Sequence, residues 1–213
     1  MRVTVDVVGA GGHAKVVLAL LHSCGWPVGV VVDGSADRQG STLLGHTIER
    51  EDALALGADR RVVVAIGNNA ARRRVADRLL AAGHRFATLV HPTAWVAPSA
   101  RLGDGAVVFA GAIVQPDVVV GAHAILNTGC SVDHDCVVGA FSHVAPGARL
   151  CGAVQVGDGA LVGVGAAVIP AVRIGAWATV GAGAAVVRDV DAGATVVGVP
   201  ARPTSTSPGR SGT

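Results

Sequence analysis

The sequence predicts a small Rossmann-like α/β domain with a parallel sheet, followed by a left-handed parallel β-helix of hexapeptide repeats. Two observations carry this prediction. Strand and helix patterns alternate through the first third of the chain, and an aliphatic residue returns at every sixth position through most of the remainder. The composition agrees, because 51% of the residues are hydrophobic but only 3% are aromatic, and 30 are Gly. Small aliphatic side chains suit thin stacked layers better than a core of large rings.

The first third of the chain alternates between short apolar runs and helical patterns. The predicted strands cover residues 3–8, 28–32 and 61–66, and the predicted helices cover 13–23 and 70–82. Such alternation is typical of βαβ units, which build a parallel sheet. We therefore assign residues 1–89 to a small α/β domain that ends just before His91.

The second part of the chain repeats with a period of six. Seventeen successive sixth positions are all Val, Leu or Ile: Val90, Val96, Leu102, Val108, Val114, Val120, Leu126, Val132, Val138, Val144, Leu150, Val156, Val162, Val168, Ile174, Val180 and Val186. A helix cannot keep period six on one face, and a flat strand needs period two. Short strands that end in tight corners can, so residues 90–202 are predicted to form the β-helix, with 203–213 as a disordered tail.

A glycine loop follows the first predicted strand and opens the first helix. Gly9-x-Gly11-x-x-Ala14 matches the dinucleotide fingerprint, and Asp33 follows at the end of the second strand. The loop indicates a diphosphate at a helix N-terminus. The domain is too short for a whole dinucleotide sheet, so a nucleotide-linked substrate fits better than NAD, with a ligand-free turn as the remaining alternative. His13 favours a ligand, because a tight turn does not need a histidine.

The most polar segment of the repeats surrounds His134. Asp133 and Asp135 flank this histidine, and Asn127 and His143 are close in sequence. A carboxylate beside an imidazole can fix its tautomer and stabilise its protonated form, as a general base requires. The alternative is a solvated histidine at a corner of the coil, but the acidic neighbours favour catalysis.

A metal site is the less favoured interpretation of the histidines. His123, His134 and His143 are the candidates for zinc, but they occupy different phases of the hexad, and we predict no metal. The four cysteines form no CxxC pair and are interpreted as small buried thiols. They are Cys24, Cys130, Cys136 and Cys151.

Charge and hydropathy argue against several partners. The net charge is +2 and the basic residues are dispersed, which predicts neither a nucleic-acid interface nor a membrane anchor. No signal-peptide pattern and no apolar run of about 18 residues is found, so we expect a cytoplasmic protein. The run Arg72-Arg73-Arg74 is interpreted as a solvated helix face, and Trp95 and Trp177 as packing residues.

Several longer motifs occur together along the chain. They are Val8-Gly-Ala-Gly-Gly-His13, Val32-Asp33, Ala65-Ile-Gly-Asn-Asn69, Ile125-Leu-Asn-Thr128, Val132-Asp-His-Asp-Cys136, Ser142-His143, Pro146-Gly-Ala148 and Gly198-Val-Pro-Ala-Arg202. With these motifs the chain resembles the family of sialic acid O-acetyltransferases and bacterial nucleotide-amino-sugar N-acetyltransferases over nearly its whole length. It departs from many members at Gly34, where they have a second acidic residue after the one that matches Asp33.

The resemblance implies a homotrimer with active sites between neighbouring β-helices, and acetyl-CoA as the co-substrate. It implies His134 as the general base, with Asp135 tuning its pKa and Asn127 close by. The implied lining of the acetyl-CoA channel is His143, the Gly152 amide, Val164 and Ala182. The implied contacts to the nucleotide are Gly11, Gly12, His13, Asp33 and Gly67.

The expected activity is therefore transfer of an acetyl group from acetyl-CoA to the amine of a nucleotide-linked amino sugar, of the 4-amino-4,6-dideoxyhexose type. Three alternatives stay open at this point. They are O-acetylation of a sialic acid or another sugar hydroxyl, an NAD-dependent oxidoreductase, and a non-catalytic scaffold that binds a sugar nucleotide.

Overall fold

The computed structural model describes residues 3–204. It consists of a five-stranded α/β sheet followed by three long parallel sheets of very short strands. This confirms the predicted fold class, a small parallel α/β sheet followed by a β-helix of hexapeptide repeats.

The N-terminal sheet has the order β3-β4-β2-β1-β5. Its elements are β1 (Thr4–Val8), α1 (Gly12–Ser23), β2 (Val28–Val32), a 3₁₀ turn (Ala36–Arg38), β3 (Thr42–Leu43), β4 (His46–Glu49), a second 3₁₀ turn (Glu51–Ala53), β5 (Arg60–Val64) and α2 (Asn69–Ala81). All pairs are parallel except the β3–β4 hairpin. Sequence reasoning missed this hairpin, because its two strands are too short and contain too few apolar residues to show the alternating pattern of a strand.

The remaining strands are almost all two residues long. They are β6 (Leu89–Val90), β7 (Trp95–Val96), β8 (Arg101–Leu102), β9 (Val107–Val108), β10 (Ile113–Val114), β11 (Val119–Val120), β12 (Ile125–Leu126), β13 (Ser131–Val132), β14 (Val137–Val138), β15 (His143–Val144), β16 (Arg149–Leu150), β17 (Gln155–Val156), β18 (Leu161–Val162), β19 (Ala167–Val168), β20 (Arg173–Ile174), β21 (Thr179–Val180), β22 (Ala185–Val186), β23 (Thr195–Val197) and β24 (Arg202–Pro203).

Each coil of the β-helix contributes one strand to each of three sheets. The first sheet runs from β7 to β22, the second from β8 to β20, and the third from β6 to β24. Partners in register are eighteen residues apart, as in the pairs Val114–Val132 and Val132–Leu150. Three hexads therefore make one coil, as the period predicts.

The core of the β-helix has two columns of side chains. The period-six aliphatic residues are buried from Val108 onward, whereas Val90, Val96 and Leu102 are only partly buried at the first coil. A second column of small residues lies two positions before the first and was not recognised from the sequence. It includes Ala124, Cys130, Cys136, Ser142 and Ala148. The buried-thiol interpretation holds for Cys130 and Cys136, but Cys151 is exposed.

The corners of the coils require left-handed backbone. From Gly105 to Gly183, every sixth residue has φ between 55° and 72°, and half of these fourteen residues are not glycine. The glycines that follow inward residues have another role, close approach of adjacent coils. A Cβ on Gly121 would lie 2.4 Å from the Ala140 nitrogen. Substitution there would push neighbouring coils apart.

The α/β domain packs on the outer face of the third sheet. Val107, Phe109 and Ile125 of the β-helix share one buried cluster with Val17 and Leu21 of α1. Along the later strands of that sheet a groove remains open on this face. At the other end, β24 pairs antiparallel with β23, so Pro203 of the predicted tail lies in a strand. Residues 205–213 of that predicted tail lie outside the described residues.

Candidate active site

The glycine loop borders a cavity of about 400 Å³ at the carboxyl ends of β1, β2 and β5. Gly11 and Gly12 at the start of α1 line it, together with His13, Asp33 and Gly67. All five residues predicted to bind the nucleotide therefore come together. Gly9 has φ +106°, and a Cβ there would lie 3.0 Å from the Ala65 carbonyl oxygen, so the loop is close-packed against β5.

Asp33 already has hydrogen-bond partners in its own loop. Its carboxylate accepts from the N–H of Ala10 at 2.7 Å and of Ser35 at 2.9 Å, and from Arg38 at 3.1 Å. Partial burial by itself would raise the pKa of Asp33, but these bonds outweigh it and the pKa is lowered. Asp33 thus stabilises the loop, a role that the sequence did not indicate.

A groove of about 590 Å³ runs along the open part of the third sheet. Predicted cofactor residues His143, Val164 and Ala182 line it, and so does Gly67 at the N-terminus of α2. Because Gly67 borders both this groove and the glycine-loop cavity, the two spaces adjoin. Gly152 is the one predicted cofactor residue outside the groove lining.

His143 and His13 lie where the two spaces meet. Asn127 Nδ2 donates to His143 Nε2 at 2.9 Å. Burial, and next the charge of Arg72, lower the pKa of both histidines to about 4, so both are neutral. Their ring centroids are 6.3 Å apart. Within residues 3–204, the buried Nε2 of His13 has no hydrogen-bond partner.

His134 lies at a corner between the first and second sheets, and its side chain is 60% exposed. Its Nδ1–H donates to Asp135 Oδ2 at 2.8 Å, which leaves the Nε2 lone pair free to accept a proton. The hydrogen bond to Asp135, followed by the charge of Asp133, raises the pKa of His134. One coil further on, Gly152 lies directly against the imidazole, since a Cβ there would be 2.6 Å from Cε1.

The predicted site residues occupy two different edges of the β-helix. His134, Asp135 and Gly152 lie between the first and second sheets, whereas Val164 and Ala182 lie where the third sheet turns into the first. Within one chain, His134, the predicted general base, therefore does not lie next to the groove. His123 lies on the remaining edge and stacks on Phe141 at 5.0 Å. Among residues 3–204, no group of three or more metal-ligating side chains occurs.

Arg72 corrects the interpretation of the arginine run as solvated. Its side chain is buried, with the residue only 2% exposed, and burial lowers its pKa to about 10. The guanidinium connects the start of α2 to two corners of the β-helix through six contacts of 2.7–3.2 Å. The acceptors are the carbonyls of Ile66, Gly67, His123, Phe141 and Ser142, and Asn69 Oδ1.

Comparison with known proteins identifies relatives of both parts of the chain. The PglD N-terminal domain family matches residues 5–79. UDP-N-acetylbacillosamine N-acetyltransferase of Bacillus subtilis (strain 168) is 41% identical over 110 residues, which cover 50% of this chain and about half, 51%, of that protein.

Two solved structures match the chain almost throughout. PerB from Caulobacter crescentus, in complex with CoA and GDP-perosamine, is 42% identical with a TM-score of 0.88, covering 95% of this chain and 97% of that one. The acetyltransferase domain of PglB from Neisseria gonorrhoeae FA1090, in complex with acetyl coenzyme A, is 38% identical with a TM-score of 0.88, covering 96% and 100%.

The chain belongs to the nucleotide-amino-sugar N-acetyltransferase family. This membership favours a transferase over the oxidoreductase and scaffold alternatives. Membership agrees with two adjoining spaces, one at a glycine loop and one on a β-helix. No helix in the described part of the chain has the length and apolar character needed to cross a bilayer.

Sequence reasoning missed two features of this candidate site. Arg72 was hidden in a run of arginines, although the next two, Arg73 and Arg74, are indeed exposed. Trp177 was interpreted as packing, but it lines the groove. The sequence signal for Trp177 was a bulky residue at a corner position of the hexad, since half of these corners have glycine.

Proposed function

We propose that the protein transfers an acetyl group from acetyl-CoA to the amine of a nucleotide-linked 4-amino-4,6-dideoxyhexose. The main support for this proposal is that Gly67 lines both the glycine-loop cavity and the groove on the β-helix, so the two spaces adjoin there. A sugar nucleotide held by residues 1–89 can extend its sugar toward a thioester held by residues 90–202. The named relatives are N-acetyltransferases, which favours an amine acceptor over a hydroxyl.

The nucleotide is assigned to the glycine loop. Backbone N–H groups of Gly11 and Gly12 at the N-terminus of α1 can bind the diphosphate, where the helix dipole also favours an anion. His13 Nε2, buried and without a partner among residues 3–204, is suited to a hydrogen bond with the sugar nucleotide. With its carboxylate bonded to Ala10, Ser35 and Arg38, Asp33 keeps the loop open for that ligand.

The chemistry is assigned to the His134 edge. The amine nitrogen attacks the thioester carbonyl carbon, and His134 Nε2 accepts the proton that the amine loses. The Gly152 N–H donates to the oxyanion, a contact worth about 3 kcal/mol in comparable sites. When the tetrahedral intermediate collapses, the carbon–sulfur bond breaks and the CoA thiolate leaves with the proton from His134. Asp135 stabilises the intermediate imidazolium.

The separation of His134 from the groove supports a homotrimer. The edge that carries His134 is flanked by exposed apolar side chains on the outer faces of both adjoining sheets, Ile113 on one and Val119 and Val137 on the other. Such a surface is typical of a protein interface. In a cyclic trimer the His134 edge of one subunit can face the groove of its neighbour, which completes the site. The expected cytoplasmic location stays a prediction.

A thiol-release assay tests the proposal. Acetyl-CoA is offered with a panel of nucleotide-linked 4-amino sugars, the corresponding free amino sugars, and free sialic acid. We expect release of CoA with a nucleotide-linked amine and a very low rate with the free sugars. Equal rates for free and linked sugars would contradict the diphosphate assignment, and turnover with sialic acid alone would indicate O-acetylation.

The assembly has its own test. Sedimentation should give a trimer, and mixing inactive His134→Ala subunits with inactive Val164→Trp subunits should restore part of the activity. Recovery requires one subunit to supply the base and another to supply the groove. If mixed trimers form and stay inactive, the site lies within one chain.

A further inference from the structure

The groove lacks the charge that its proposed ligand requires. Acetyl-CoA has a polyanionic end, with a diphosphate and a 3′-phosphate. Among the described residues that line the groove there is no Lys, Arg, Asp or Glu, and His143 is neutral. Phosphates are usually bound by Arg, Lys or clustered N–H groups. A cation at the rim of the groove would therefore strengthen the binding of these phosphates.

Trp177 forms one wall of the groove at a corner of the β-helix. Its φ is 59°, a conformation that is unfavourable for a bulky residue, and it is 37% exposed. The indole lies over Gly159 of the preceding coil, where a Cβ would be only 2.5 Å from the ring. Gly159 thus makes room for the ring. The exposed part of the indole therefore offers an apolar surface to a ligand in the groove.

Arg73 lies beside this wall. Its Cζ is 5.8 Å from the centroid of the Trp177 ring, within the range of a cation–π contact. Ala70, one helical turn earlier on the same side of α2, lines the groove, so α2 directs Arg73 toward its rim. The ion pair of Arg73 with Asp77 is 3.6 Å long and exposed, and such pairs are easily replaced by a stronger anion.

We propose that Arg73 and Trp177 bind the phosphate-bearing end of acetyl-CoA. Arg73 forms an ion pair with a phosphate group, and the indole of Trp177 holds the guanidinium in place and packs against the cofactor. This inference rests on the proposed function, because it takes acetyl-CoA as the ligand of the groove. The exposed guanidinium of Arg74, on the same helix, provides a matched control.

The kinetic test compares Arg73→Met and Arg74→Met with three acetyl donors: acetyl-CoA, acetyl-dephospho-CoA and acetyl-pantetheine. We expect Arg73→Met to raise the KM for acetyl-CoA about ten-fold or more, with kcat unchanged, since a charged hydrogen bond is lost. The KM for acetyl-pantetheine, which lacks the nucleotide end, should not change, and Arg74→Met should resemble the wild type. An unchanged KM for acetyl-CoA, or a rise confined to the sugar nucleotide, would overturn the proposal.

A binding test is independent of turnover. The chain has 3 Trp residues, so CoA is titrated while tryptophan fluorescence is followed in Trp177→Phe and in Trp95→Phe. Trp95 is exposed on the outer face of the first sheet and serves as the control. The response should persist in Trp95→Phe and disappear in Trp177→Phe, and the opposite result refutes the inference. Wild-type protein that binds CoA with this response but releases no thiol would contradict the proposed function alone.

Discussion

Gly152→Ala tests the catalytic edge with a single methyl group. The three atoms nearest to a Cβ at this position all belong to the imidazole of His134, at 2.6, 2.7 and 3.3 Å. The backbone of Gly152 is outside the left-handed region, so alanine can adopt it without strain. The substitution keeps the Gly152 N–H, the proposed oxyanion donor. Its effect is therefore confined to the position of the imidazole.

The size of the effect follows from the geometry. The closest contact is about 0.8 Å shorter than ordinary van der Waals contact, so the ring must move by roughly that amount or rotate away. Because the His134 side chain is 60% exposed, it can move at little cost to folding, and stability should change by less than about 0.5 kcal/mol. Misplacement by about 1 Å costs on the order of 10²-fold in rate. Loss of the hydrogen bond to Asp135 adds to this.

The assay measures kcat at saturating substrates together with the melting temperature. We expect kcat to fall about 10²-fold with an unchanged melting temperature. The control is a double-mutant cycle, since Gly152→Ala should have no further effect once His134 is Ala. A wild-type kcat in Gly152→Ala, or equal losses in both backgrounds, would show that the imidazole is not the base.

Four further predictions concern the base, its acidic partner, the nucleotide loop and the link between the two parts. His134→Ala should lower kcat about 10²–10⁴-fold. In Asp135→Asn the pKa of His134 should fall toward its ordinary value, so the acidic limb of the kcat/KM profile moves to lower pH; an unmoved limb argues against the pair. Gly11→Val should strongly raise the KM for the sugar nucleotide and not for acetyl-CoA, and equal changes in both would refute the loop assignment. Arg72→Met should destabilise the fold by at least about 3 kcal/mol in denaturant unfolding, because several buried carbonyls lose their donor, whereas Arg74→Met should not.

The β-helix could be predicted from the sequence because its structure is repetitive. Each residue pairs with the one eighteen positions away, so a single period determines strand, corner and column together. The glycine loop was predictable for a similar reason, since its strand, turn and helix are adjacent in sequence. The collection of Gly11, His13, Asp33 and Gly67 around one cavity follows from parallel strands that end at the same edge.

Contacts between the two parts of the molecule were not predictable in this way. Arg72 donates to carbonyls of His123 and Phe141, and Arg73 lies over Trp177, across separations that no repeat encodes. Nothing in the sequence distinguishes the buried Arg72 from the exposed Arg73 and Arg74, because the difference arises only when α2 packs on the β-helix. Asp33 is a similar case within the α/β domain, because its carboxylate reaches the Ala10 N–H only after β1 and β2 have paired in the sheet.

The sequence by itself therefore determined the repeat, the glycine loop and the acidic surroundings of His134, because these are local patterns. Tertiary structure decided that His134 and the groove lie on different edges of the coil. It also decided that one arginine of three is buried and that Trp177 borders the groove. The physical reason is that burial and docking depend on which surfaces meet, and surfaces distant in sequence meet only after the chain has folded.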